Sequence, residues 1–215
     1  MSDIIGGITV GIFQIIFGHP LDTIKVRIQN SQVWRGLNWK MYYNGYRYPC
    51  MSTLFYNALA FPIYERSLEY TDSHLLSGFL AGSITTPGIF LLDIGKIKEQ
   101  THNKIKLKDF TNTKGLYSTF WRESISSAVY FGGYHYCKNS LEYSILLSGG
   151  IAGLLNWTIT YPIDVIRTRQ IAQNITIKQS INQRYLWKGY IPCAIRAVLV
   201  NSISFYIYEF VKKNI

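Results

Sequence analysis

The stretch Pro20-Leu21-Asp22-Thr23-Ile24-Lys25-Val26-Arg27 returns twice along the chain, and no other feature limits the possible folds as much. A step of 71 residues carries Asp22 to Asp93 and then to Asp164. The same step carries Lys25 to Lys96 and Arg167, and Arg27 to Lys98 and Arg169. Upstream, Gly7 and Gly11 recur as Gly78 and Gly82 and again as Gly149 and Gly153. Each unit thus runs through an apolar Gly-xxx-Gly segment into an acid, a base three residues on, and a second base two beyond that. The chain divides into three such units, residues 1–71, 72–142 and 143–215.

Every unit contains two long apolar segments joined by a polar connection. The first segments run from Ile4 to Gln29, Leu75 to Gln100 and Ile145 to Ile171; the second run from Tyr46 to Leu68, Leu116 to Cys137 and Tyr190 to Val211. About 20 helical residues at about 1.5 Å each cross a hydrocarbon core. Composition agrees: 16% of residues are charged, against roughly 25% in ordinary globular proteins. The fold expected is an all-α membrane protein, with six transmembrane helices in three pseudo-threefold repeats around a central cavity. The connections hold Arg35, Lys40, Lys104, Lys106, Lys108, Lys178 and Arg184, which favours one common side for them. The Gly-xxx-Gly pairs predict close helix contacts in each unit.

The net charge of +10 does not point to nucleic acid, because no basic run lies outside the repeats. It suits anionic lipid at the helix ends and an anion-accepting cavity. Cys50, Cys137 and Cys193 make no CxxC pair and no metal-ligand spacing. His19, His74, His102 and His135 share no helical face, and no Ser/His/Asp set or phosphate-cradling glycine loop is present. Neither a metal site nor an enzyme is expected. No Arg-rich, acid-poor leader precedes the first apolar run, so targeting is expected to be internal.

Asp22, Asp93 and Asp164 lie within or at the ends of apolar segments, where charges are costly and usually pair toward a bundle interior. Pairing within each helix at i,i+3 is one solution. Three equivalent copies around an axis favour another, in which each acid meets the base of the next unit: Asp22 with Lys96, Asp93 with Arg167, and Asp164 with Lys25. The second helices have a register of their own. Counting sixteen from Gly45, Gly115 and Gly189 gives Phe61, Phe131 and Phe205. Counting nineteen gives Tyr64, Tyr134 and Tyr208, and the next positions are Glu65, His135 and Glu209.

Three Px[DE]xx[KR]x[KR] motifs at this spacing, with an aromatic-basic-Gly element before each second helix, resemble the mitochondrial carrier family. Unit three matches fully, with Pro162-Ile163-Asp164-Val165-Ile166-Arg167-Thr168-Arg169 and Trp187-Lys188-Gly189. Unit one has Tyr43-Asn44-Gly45 for the second element. Unit two has Leu91 in place of the proline, with Pro87 a turn earlier, and Thr113-Lys114-Gly115. The chain is short for the family, and its polar connections have lost length.

The resemblance implies a solute carrier of the mitochondrial inner membrane, multi-pass and monomeric, opening one central site alternately to each side. Asp22, Lys25, Asp93, Lys96, Asp164 and Arg167 would form the matrix gate, braced by Gln29 and Gln100, with Ile171 at the third brace position. The cytoplasmic gate would use Tyr64, Glu65, Tyr134, Lys138, Tyr208, Glu209 and Lys212. Only Glu65 with Lys138 makes an intact pair there, so the resting protein is expected to open toward the cytoplasm. Gly45, Lys114, Gly115, Lys188 and Gly189 would bind membrane lipid, cardiolipin in the family; no other cofactor is implied. Seven residues after the key glycines, Ser52, Arg122 and Arg196 occupy the substrate contact positions, with Glu123 beside Arg122. Arg122-Glu123 offers both signs to a solute and Arg196 offers a fork for carboxylate or phosphate. A small zwitterion, amino-acid-like or carnitine-like, is the leading small-molecule solute. A nucleotide is the alternative, and a transport-inactive adaptor that retains the fold is the reading from another class.

Overall fold

The computed structural model describes residues 14–142 and 145–197, which are mostly helical and contain no strand. A π-helical turn, Gln14–Gly18, leads into α1 (His19–Gln29). Then come α2 (Trp39–Tyr42), α3 (Arg47–Thr71), α4 (His74–Gln100) and α5 (Leu107–Phe110). Next are α6 (Leu116–His135), a second π-helical turn (Tyr136–Ser140), α7 (Ile145–Gln173) and α8 (Ile177–Asn182). Residues 190–197 are again helical. Gly7, Gly11, Phe205, Tyr208, Glu209 and Lys212 lie outside the described residues.

The long helices are inverted relative to those of a water-soluble domain. Leu54, Ile84, Leu91, Leu154, Ile159 and Ile191 are exposed, Leu54 and Ile191 at 72% each. Buried instead are Thr23, Thr85, Thr86, Thr119, Thr160 and Thr168, with the aspartates and most bases of the repeated motif. Several of these hydroxyls are satisfied within their own helix: Thr85 donates to the Ala81 carbonyl, Thr86 to Gly82 and Thr160 to Asn156, at 2.7–2.9 Å, whereas Thr23 donates to the Tyr42 carbonyl. Such back-bonding leaves no polar group bare where water is scarce. Among the described helices, α4 passes as a membrane span on length and apolarity alone. The other long helices carry polar residues on their inner faces, which lowers their mean hydropathy.

Helix α4 packs most closely on α6 and next on α3. Against α6 the reason is the absent side chains of Gly78 and Gly82. A Cβ on Gly78 would lie 2.7 Å from the Ser127 carbonyl oxygen, and one on Gly82 would overlap the Glu123 carbonyl. Against α3 the contact is aromatic, with Phe55 seated on Gly88 and Tyr48 on Gly95. Gly149 and Gly153 differ from the expectation of equivalent contacts, since an added Cβ meets nothing within 4 Å among the described residues. Helix α4 continues through Pro87 and α7 through Pro162, whereas Pro20 stands in the first turn of α1.

Three short helices, α2, α5 and α8, occupy the polar connections. Two of them are capped: Thr176 and Gln179 exchange hydrogen bonds at the start of α8, and Asp109 accepts from the Lys106 N–H at the start of α5. The second base of the motif fastens these connections. Arg27 donates to the carbonyls of Gln100 (3.0 Å) and Val33 (2.9 Å). Arg169, 1% exposed, donates to Gln29, Ser180, Arg184 and Tyr185. Lys98 pairs with Asp109 at 3.5 Å.

Candidate functional site

The motif's first base, three residues after each aspartate, always reaches the aspartate of another helix. Lys96 Nζ of α4 lies 3.1 Å from Asp22 of α1, Arg167 of α7 lies 2.8 Å from Asp93 of α4, and Lys25 Nζ of α1 lies 2.8 Å from Asp164 of α7. The three pairs join α1, α4 and α7 into one ring. An i,i+3 contact occurs as well, Arg167 with Asp164, but at 3.5 Å it is the longer of the two.

The ring floors a cavity of about 410 Å³ lined from both the first and the second helices of the units. Ser52, Arg122, Glu123 and Arg196 all line it. Three of them are tied into the ring. Arg196 Nε lies 2.8 Å from Asp22 Oδ1, Glu123 Oε1 lies 3.1 Å from Arg167, and Arg122 Nε lies 3.8 Å from Asp164. Arg122 also pairs with Glu123 itself. Ser52 faces the cavity from α3 and donates to the Pro49 carbonyl. A residue outside the sequence expectations, Trp157 of α7, holds Lys25 at 4.3 Å and Arg122 at 5.1 Å from its ring centre.

The two glutamines divide. Gln29 donates to Asp164 Oδ2 at 3.1 Å and to the Tyr161 hydroxyl at 3.3 Å, bracing the Lys25–Asp164 pair. Gln100 donates instead to Thr23 Oγ1 at 3.3 Å. The carboxylate it would otherwise brace is already occupied, because Asp22 holds Lys96 on one oxygen and Arg196 on the other.

At the opposite end of the cavity the contacts are aromatic. Tyr64 stacks on Phe131 at 4.0 Å between centres and shares a hydrogen bond with His74, which stacks on His135. Lys138 lies over the Tyr134 ring at 5.8 Å, and Glu65 and Lys138 form no ion pair. Gly45, Gly115 and Gly189 all have positive φ, +79°, +99° and +86°. Only glycine adopts that conformation readily. A Cβ at Gly45 or Gly189 would also crowd, at 3.3 Å, the carbonyl of Lys96 or Lys25. The adjacent lysines are engaged inside the chain, Lys114 with the Asn174 carbonyl and Lys188 with Ser31. Outside the apolar helices, the Lys106 N–H and the Lys98 ammonium hold the Asp109 carboxyl below its usual range.

Exposed apolar helices around an ionic cavity define the class: a helical membrane protein with a charged interior. Comparison with known proteins shows what the chain is similar to. The sequence pattern of the family described as "Mitochondrial carrier protein" matches residues 142–215. The human mitochondrial basic amino acids transporter is 26% identical, aligned over 94% of this chain and 87% of its own length. The mitochondrial arginine transporter of Arabidopsis thaliana is 26% identical over 93% and 86%. Mitochondrial ornithine transporter 1 of Saccharomyces cerevisiae is 23% identical over 96% and 93%. The family pattern thus covers the third unit, and the relatives named as mitochondrial transporters align with nearly the whole chain.

Proposed function

We propose that the protein carries an amino-acid-like zwitterion across the mitochondrial inner membrane by alternating access. In this reading the three units 1–71, 72–142 and 143–215 supply six spans, and the chain works as a monomer. The observation that carries the solute class is the two-sign wall of the cavity, Arg122 with Glu123 and Arg196 nearby. A carboxylate recruits Arg196, and an ammonium recruits Glu123. A nucleotide is disfavoured on the same ground, since Glu123 would face its phosphates. The relatives' names point the same way.

The ring acts as the matrix gate, and the separation of Glu65 from Lys138 leaves the cytoplasmic end without that ion pair among the described residues. Solute binding and gate opening then share the same charges. When a solute carboxylate draws Arg196 off Asp22, the Asp22–Lys96 pair loses a partner. When its ammonium draws Glu123 away, Arg167 loses one of its acids. Buried ion pairs give little net stability, so a few such losses shift the balance between closed and open rings. Lys114-Gly115 and Lys188-Gly189 serve as seats for an anionic lipid, with Gly45 at the third position.

A thermal-shift screen of the purified protein against amino acids, carnitine, keto acids and nucleotides tests the reading. A ligand of the native state raises Tm by mass action. Stabilisation by amino acids or carnitine, lost in Glu123→Gln, is expected. Stabilisation by nucleotides alone would overturn the solute class, and stabilisation by none of the panel would favour an adaptor.

A further inference from the structure

Two of the histidines meet at the end of the cavity opposite the ring. His74 and His135 lie face to face, with ring centres 3.4 Å apart and planes 24° from parallel. His74 is the first residue of α4 and His135 the last of α6, so the stack joins one helix where it begins to the other where it ends. Both side chains are half-buried, which leaves them open to protons from solution. Each imidazole is also held at an edge. The Tyr64 hydroxyl of α3 shares a 2.6 Å hydrogen bond with His74 Nδ1, and the Asn139 amide donates to His135 Nε2 at 2.7 Å. An imidazolium has hydrogen on both nitrogens and accepts nothing, so this contact of His135 belongs to the neutral ring.

The stack orients a seam between helices. Tyr64, fixed by His74, lies flat on Phe131 of α6, and Phe61 of α3 meets the same ring edge-on at 5.6 Å. Around it stand Glu65 beside Tyr64 on α3 and Lys138 over the Tyr134 ring, in the turn after His135. Residues 145–160 of α7, which pack on α6 and on that turn, hold no titratable group. Glu209 shares the register of His135 and lies outside the described residues. The two imidazoles are unequal. A cation is disfavoured at the start of a helix and favoured at the end of one, so the first proton goes to His135. The Asn139 amide then turns its oxygen to the ring. Burial and the neighbouring His135 push the His74 imidazole below its ordinary value. A second proton, on His74, sets two like charges face to face at 3.4 Å.

We infer that His74 and His135 form a proton-binding clasp that fastens α3 to α4 and α6 at this end of the cavity, holding while one imidazole is neutral and parting when both are charged. The clasp does not depend on which solute the cavity takes. Its action runs through Tyr64: when the rings part, the tyrosine loses the partner that fixes it, and the seam on Phe131 loosens. The sign of the pH dependence follows from His74, which binds its proton more weakly in the folded chain than in the unfolded one. The clasp's contribution is complete above the unfolded value of about 6.5 and is lost as pH falls through the lower folded value.

The test uses the full chain, purified in detergent with isotope-labelled histidine, the imidazole resonances being assigned by single replacements. His74 and His135 are expected to titrate in two steps, the second proton binding at least about tenfold more weakly than the first. Tm is followed in parallel from about pH 7.5 to about pH 5, a window that brackets the ordinary histidine value. His135→Phe keeps a ring on the stack without a charge, and His74→Gln keeps a hydrogen-bonding partner for Tyr64. The wild-type Tm is expected to fall across that window by about 3 °C or more beyond the fall in either variant. Titration of the two imidazoles as independent groups at one common value would overturn the shared proton site. A fall in Tm as large in the variants as in the wild type would overturn the clasp. Should His135→Phe fail to fold, His74→Gln decides the comparison by itself.

Discussion

Arg167 is the hub of the ring, and its replacement tests the ring's energetics. One guanidinium serves three acids: Asp93 at 2.8 Å, Glu123 at 3.1 Å and Asp164 at 3.5 Å. Arg167→Gln leaves those acids in unequal positions. Glu123 keeps Arg122, and Asp164 keeps Lys25 and Gln29. Asp93 has no other ion-pair partner among the described residues. Removing one partner of a buried pair costs about 3–5 kcal/mol, and with a single orphaned carboxylate the lower end, about 3 kcal/mol, applies. For a chain of this size about 1 kcal/mol moves Tm by about 2–4 °C, so Arg167→Gln should melt about 6–12 °C lower in a detergent thermal-shift assay. Arg167→Lys keeps a charge and loses the fork, and should cost about half as much. Asp93→Asn added to Arg167→Gln removes the orphan, and the pair should show a coupling above about 1 kcal/mol. A double variant no more stable than Arg167→Gln would refute the assignment of the cost to Asp93.

Other consequences are open to the same kind of check. Gly78→Ala should cost about 1–3 kcal/mol by pushing α4 off the Ser127 backbone, whereas Gly149→Ala should stay within about 0.5 kcal/mol by thermal shift. Arg169→Ala unmakes hydrogen bonds to the connection around α8, so limited proteolysis should cut residues 174–186 several-fold faster, with Arg169→Lys only partly protective. Asp109 has a folded value held below the ordinary carboxylate range by the Lys106 N–H and Lys98. Its stabilisation is therefore complete above the unfolded value of about 4 and lost as pH falls through the lower folded one. Proteolysis of residues 101–115 should accelerate across that window in the wild type and show no such step in Asp109→Asn.

The cross-helix ring could be read from the sequence because three acids and three bases repeat at one interval, which turns a pairing problem into a symmetry argument. Arg122, Glu123 and Arg196 could be placed in the cavity by counting from the positive-φ glycines, but not their ties to the ring. Those ties join residues 42 to 174 positions apart and depend on side-chain reach. The same reach sends Gln100 to Thr23, since Arg196 already fills the second oxygen of Asp22. Trp157 was missed because one aromatic in an apolar helix carries no periodic signal. The connection helices had one, the Thr176-to-Gln179 capping box, within segments otherwise marked only as polar. Gly88 and Gly95 look like ordinary helix interruptions until the rings of Phe55 and Tyr48 are seated on them.

The most direct measurement is uptake of a labelled amino acid into liposomes reconstituted with the purified protein and loaded with the same amino acid unlabelled. Saturable uptake is predicted for the wild type, falling at least tenfold in Arg196→Ala and in Glu123→Gln while both variants remain folded. Uptake that persists unchanged in those two variants, or a wild type that moves no amino acid, would contradict the account.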